Sequence, residues 1–184
     1  VEATLEVRLI VYEEEKMDIL ADAYSLQQNC TPKIMEENLE QLLLQNHSKC
    51  KVSEQLSLPE IKDDILQICH NSARIQVEHT EVTEGGLQIE GVLHICFLYV
   101  KADDAVPFDT WQGMVPFSYL LECNGAVKEM TYGLTYAVEQ ISVGLLGTDE
   151  IEVKAVLAFN SFLKKPVGIR NIKEIEFTPF DMEE

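Results

Sequence analysis

Apolar and polar residues alternate along much of this chain, most clearly from Leu87 to Val100. Leu87, Ile89, Leu93, Ile95, Phe97 and Tyr99 fall on one face, and Gln88, Glu90, Val92, His94, Cys96, Leu98 and Val100 take the other. Period two with β-branched and aromatic residues predicts a strand. Its second face starts polar and ends apolar, so the strand is expected to run into a closed core. Glu84-Gly85-Gly86 stands before it, and two glycines supply the positive φ that a tight hairpin turn needs. Arg74 to Val82 is the expected antiparallel partner, with Ile75 and Val77 inward.

The same alternation predicts strands over Leu5 to Tyr12, over Met130 to Val138 with a continuation through Ile141 and Val143, and over Ile151 to Phe159. Met17 to Ala23 reads as a further short strand. The period changes at Thr31-Pro32, where Thr31 can cap a helix and Pro32 can fill its first position. Met35, Leu39, Leu42 and Leu43 then form a stripe at helical spacing, with Glu36, Glu37 and Glu40 in the half that the helix dipole favours. This predicts an amphipathic helix to about Asn46, its leucines packed on a sheet. Ile61, Ile65 and Ile68 suggest a second, short helix over Glu60 to Ile68 after Pro59. Lys101 to Ala105 is a polar loop with Asp103-Asp104 at its tip. In Val106 to Leu121, Pro107 and Pro116 argue against one continuous helix. Val115-Pro116-Phe117-Ser118 reads as an edge strand or a turn that plugs the core. Lys164, Lys165, Arg170 and Lys173 form a basic cluster around Pro166 and Gly168, and Ile175-Glu176-Phe177 returns as an extended tail.

These elements imply a mostly β chain: an antiparallel β-sandwich or flattened barrel, with one amphipathic helix covering an open side. Leu93, Ile95, Phe97, Phe117, Leu134 and Leu157 are expected to meet in one core. The alternative is two smaller β domains divided near residue 110. Leu5-Glu6-Val7-Arg8 also resembles Ile151-Glu152-Val153-Lys154, and both lead into a short charged segment. The simplest account is a tandem protein cut from a longer one. Residues 1–29 would be the C-terminal strands of one copy, residues 30–49 a linker helix, and residues 50–184 the next domain. Val1 to Tyr24 has too little surface for a core of its own. It is expected to dock on the main sheet or to pair with a second molecule as a homodimer.

Charge narrows the partners. Against 14 Lys and Arg stand 32 Asp and Glu, a formal charge of -18 over 184 residues. Such a surface repels nucleic acid phosphates and anionic lipid. The five cysteines have no paired spacing, and the sequence shows neither a signal peptide nor an apolar run long enough to cross a membrane, which fits a reducing compartment.

Candidate chemistry is sparse. No glycine-rich loop carries the Lys or Ser that holds phosphate, and no serine occupies a nucleophile elbow. The paired carboxylates Asp63-Asp64 and Asp103-Asp104 are adjacent in sequence, with nothing to orient them as acid and base. His94 and Cys96 share a strand face, but no spaced ligand pair stands beside them. No catalytic residue, cofactor or metal is therefore assigned. Trp111, Tyr119 and Tyr132 could form a carbohydrate shelf, though core or rim packing explains them more simply.

Three motifs together resemble a known family. Gln88-Ile89-Glu90-Gly91-Val92-Leu93-His94-Ile95-Cys96-Phe97-Leu98-Tyr99-Val100 is similar to the hallmark strand of the SPOCS domain, found in clostridial sporulation proteins including the SipL-type coat-anchoring protein. Val115-Pro116-Phe117-Ser118 resembles its apolar-Pro-Phe-Ser motif, and Asp22-Ala23-Tyr24-Ser25 its junction before the next copy. The resemblance implies repeated β domains, often followed by a LysM domain, whose sequence does not appear in these 184 residues. It implies a non-enzymatic protein-protein interaction scaffold in spore coat or envelope assembly, working in the mother-cell cytoplasm at the forespore surface. The implied partner is the spore coat morphogenetic ATPase or another SPOCS-domain protein. The rival reading is a carbohydrate-binding or hydrolytic module at the spore envelope. For a scaffold, Trp111, Met114 and Tyr119 are the candidate protein-binding residues, held in a loop that the prolines keep extended.

Overall fold

The computed structural model describes residues 3–58, 65–102, 104–147 and 149–179, apart from residues 5, 8, 10, 12 and 14. Its strands are β1 (Asn29–Ser57), β2 (Ile65–Thr83), β3 (Gly86–Lys101), β4 (Phe108–Glu122), β5 (Thr131–Leu145) and β6 (Glu150–Thr178). They form two three-stranded sheets, ordered β1-β6-β5 and β2-β3-β4. The chain divides into two compact units, residues 40–167 and residues 1–39 with 168–184.

The larger unit holds the core. β3 is the middle strand of its sheet, and its predicted inward row of Leu87, Ile89, Leu93, Ile95, Phe97 and Tyr99 is buried along its length. Ile151, Val153, Ala155, Leu157, Phe159 and Leu163 of β6 are buried in the same cluster. Phe117 completes the row from β4, and Leu134 packs against it partly exposed. The expected single core is present. β4 runs unbroken through residue 110 and pairs with β3 from end to end, so the division near residue 110 is not adopted.

The hairpin turn lies at Glu84-Gly85, closed by the Thr83–Gly86 pair. Gly86 takes φ 138°. A Cβ there would also strike the Leu121 carbonyl oxygen of β4. Gly91 is needed for a different reason. It faces Val77 beside a bulge in β2 and Phe117 in β4. A Cβ on Gly91 would overlap the Gln76 carbonyl oxygen and press on the Phe117 ring. In β5 a bulge between Val138 and Gln140 shifts the inward row from even to odd positions. That slip is why Leu134 and Val138, but then Ile141 and Val143, reach the core.

The covering helix is absent: among the described residues there is no helix at all. Residues 31–46 lie inside β1. Leu42 and Leu44 turn inward at period two with Cys50 and Val52, whereas Leu39 and Leu43 are exposed. The helical stripe loses to the long strand β6 that runs beside β1 and satisfies its backbone, a tertiary override of local propensity. Pro32 is tolerated because β1 is an edge strand. The second expected helix falls partly on residues 59–64, outside the described residues, and its remainder, Ile65 to Ile68, begins β2.

The basic cluster and the expected tail are both parts of β6. Lys164 contacts Glu40 at 3.1 Å, Arg170 contacts Glu36 at 3.3 Å, and Lys33 contacts Glu174 and Glu176. Partner numbers fall along β6 as they rise along β1, as antiparallel strands require. In the smaller unit the Ile172 N–H donates to the Leu20 carbonyl at 3.0 Å. Among described residues before Asn29 no strand forms, and Val7, Leu9 and Val11 are exposed. The rest of the strand expected over Leu5 to Tyr12 lies outside the described residues.

Two outcomes follow for the core. Leu93→Ala, at a fully buried position, is expected to lower unfolding free energy by about 2–5 kcal/mol. Gly91→Ala should cost about 1–3 kcal/mol by overpacking. Urea unfolding followed by circular dichroism measures both.

The cysteines give a chemical readout. Burial pushes the Cys50 and Cys123 thiols above the usual thiol range, while Cys69 is exposed. Iodoacetamide at neutral pH should label Cys69 in the folded protein, and Cys50 and Cys123 only after unfolding, as mass spectrometry would show. The folded chain keeps these two protons at pH values where the unfolded chain releases them. Their contribution to stability is therefore present at neutral pH and lost as pH rises through the thiol range. Cys50→Ala with Cys123→Ala should flatten that part of the stability profile.

Candidate protein-binding surface

β4 is the outermost strand of the β2-β3-β4 sheet. Strict alternation divides its side chains. Val115, Phe117 and Leu121 are buried, with Trp111 and Tyr119 half-buried on the same inward side. Phe108, Thr110, Gln112, Met114, Ser118 and Leu120 face outward. The segment between Pro107 and Pro116, read from sequence as a loop, is thus ladder-paired strand.

The three candidate residues consequently do not form one patch. Trp111 lies flat over Gly113, where any Cβ would meet its ring, and stacks on Phe97 with centroids 5.2 Å apart and planes at 26°. Tyr119 stacks on Phe159 of the opposing sheet at 5.5 Å and 11°. Eight residues of strand, roughly 27 Å, separate the two rings. Met114 points the other way and is 62% exposed. Tyr132 belongs to β5, in the other sheet, so the carbohydrate shelf is not assembled.

The outward face around Met114 is the more open surface. Ser72, Cys96 and Gln112 make one row across β2, β3 and β4, and Arg74, His94 and Met114 make the next. Together they line a shallow concavity of about 460 Å³. The His94 Nε2 and Gln76 Oε1 atoms lie 3.0 Å apart, which holds the imidazole along the sheet. Further along, the Gln88 amide donates to Ser118 Oγ at 2.7 Å. Val92, Leu98 and Val100 of β3 are half-exposed on this face, beside exposed Phe108 and Leu120 of β4. His94 and Cys96 gain no third ligand; among the described residues no group of three or more His, Cys, Asp or Glu is placed to hold a metal.

Charge distinguishes the two outward faces. On β1-β6-β5, Lys49 bonds Glu139 at 2.6 Å, Lys154 bonds Glu152 at 2.7 Å, and His47 meets Asn160 at 2.6 Å. A larger concavity of about 780 Å³ there is lined by Lys51, Glu139 and Lys154, so its charges largely answer one another. β4 has no charged residue from Thr110 to Leu121. At its start the Thr110 N–H and Lys101 hold the Asp109 carboxyl below the usual carboxylate range. Sequence reasoning singled out Trp111, Met114 and Tyr119 in a loop, and missed the strand register that places Gln112 and Gly113. Counting by twos from Phe117 places Trp111 and Gly113 on its side, and Gln112 and Met114 on the other.

Residues 64–146 match the family described as SipL, SPOCS domain. The match runs from the start of β2 to the end of β5 and includes the whole β2-β3-β4 sheet. A SPOCS domain of the SipL type therefore occupies this part of the chain. Comparisons with curated proteins and with solved structures find no match.

Trp111→Ala and Tyr119→Ala should each destabilise the fold, losing a stacked ring contact worth about 0.5–1.5 kcal/mol beyond its buried area. Met114→Ala should stay within about 0.5 kcal/mol of the parent. Thermal and urea unfolding of the three variants would check this ranking.

Proposed function

We propose that this chain is a non-enzymatic protein-binding scaffold module in spore coat or envelope assembly, working at the forespore surface in the mother-cell cytoplasm. The observation that carries the reading is the SPOCS match across β2 to β5. The site geometry supports it. The outward face around Met114 has a mixed lining on a sheet, with Met114, Cys96 and Gln112 beside the polar Ser72 and Arg74 of β2, as protein interfaces tend to have. Among the described residues no group of three or more His, Cys, Asp or Glu is placed there to hold a metal.

The partner is the spore coat morphogenetic ATPase or another SPOCS-domain protein. The outward side chains Phe108, Met114 and Leu120 make the contact, while Trp111 and Tyr119 fix the strand that presents them. Affinity capture from sporulating cells, using the chain as bait, tests this. Recovery of one of those two partner classes, lost with Met114→Lys, is the expected result. Turnover of peptidoglycan fragments or glycosides, abolished by a single carboxylate substitution, would replace the scaffold with an enzyme.

A further inference from the structure

An outermost strand offers a row of unpaired N–H and C=O groups, and natural sheets usually guard such edges with charge, proline or cover. The edges here are treated unequally. β1 carries Lys33, Glu36, Glu40, Lys49 and Lys51. β2 and β5 lie beside one another, with Ala73 to Ile75 next to Tyr136 to Val138. β4 alone is both outermost in its sheet and uncharged from Thr110 to Leu121, in a chain of charge -18. Two features guard it: Pro116, which lacks an N–H, and the Asp109 carboxylate, which accepts the Thr110 N–H at 2.8 Å.

We propose that two copies of this chain pair through β4, antiparallel and related by a two-fold axis at Gln112, joining two β2-β3-β4 sheets into one. The proposal rests on the reading of this strand as the interaction surface, and it names the partner as a second copy. A two-fold interface must be self-complementary, and this register is. Gln112 faces its own symmetry mate, and a carboxamide both donates and accepts. Thr110 faces Met114, and Phe108 faces Pro116, so the missing N–H falls at the end of the ladder. On the inward side Trp111 faces Gly113, whose open side is already covered by the Trp111 ring of its own strand, and Asp109 faces Val115 near each end of the ladder. The neutral stretch is what two strongly acidic molecules require in order to approach edge to edge. Their remaining surfaces repel, so pairing strengthens as salt rises from about 10 mM to physiological levels.

Sedimentation velocity on the full chain across concentration and salt tests the pairing. A monomer–dimer equilibrium favoured by salt is expected. Gln112→Glu and Gln112→Lys each set like charges face to face on an exposed position and should weaken the dimer at least about tenfold, or 1.4 kcal/mol, with unchanged circular dichroism. Mixing the two variants should restore a heterodimer. A monomer under all conditions, a dimer indifferent to both variants, or a mixture that does not recover would each overturn the proposal. If such a monomer still captures the coat ATPase from sporulating cells, homotypic pairing fails and the scaffold function stands.

Discussion

The inward row of β3 is the surface against which the larger unit is built. Leu87, Ile89, Leu93, Ile95, Phe97 and Tyr99 are removed from water from turn to strand end. A middle strand can achieve this because β2 and β4 satisfy its backbone on both sides, and because the second sheet brings Ile151, Val153, Leu157 and Phe159 over it. Each such side chain contributes about 1.5–3 kcal/mol when fully buried. Tyr119 and Phe117 of β4 both reach Phe159 of β6, with centroids 5.5 Å and 6.2 Å away. Those ring contacts tie the edge strand to the opposite sheet.

Legibility followed the range of the forces involved. The strands at Leu87 to Val100 and Ile151 to Phe159 could be read directly, since one buried face and one wet face write themselves into alternate residues. The stretch from Thr31 to Asn46 could not. Its leucines satisfy a helical stripe and, through Leu42 and Leu44, a strand row as well. The choice is made by β6, more than a hundred residues away. At the candidate surface, the aromatic content of Phe108 to Tyr119 was visible, but the prolines suggested a loop. On an edge strand a proline costs no ladder bond when its nitrogen faces solvent, so Pro116 is compatible with the strand it seemed to forbid.

Electrostatics sorts the surface in a way that net charge alone does not show. The outward face of β1-β6-β5 pairs several of its lysines with acids across strands, as Lys164 does with Glu40. Exposed pairs of this kind add little stability, but they leave that face wet and unattractive to apolar contact. On the other sheet β4 spends no charge between Thr110 and Leu121, although Glu90 of β3 stands exposed beside Ser118. The acidic chain thus keeps a neutral strand whose inner side is fixed by stacked rings.

Gly91 and Phe117 belong to two motifs, Glu-Gly and Pro-Phe-Ser, that are far apart along the chain but are register partners in the sheet. The space that Gly91 leaves open is taken first by the Gln76 carbonyl oxygen of β2 and then by the Phe117 ring. The two motifs therefore share one contact, in which the glycine admits backbone on one side and the ring on the other. For anyone moving this module into another protein, the smallest portable piece is not the β2-β3 hairpin, complete though it looks in sequence. A hairpin transplanted without β4 would keep the close approach of Gly91 to the β2 backbone, but would lose the Phe117 ring that covers it.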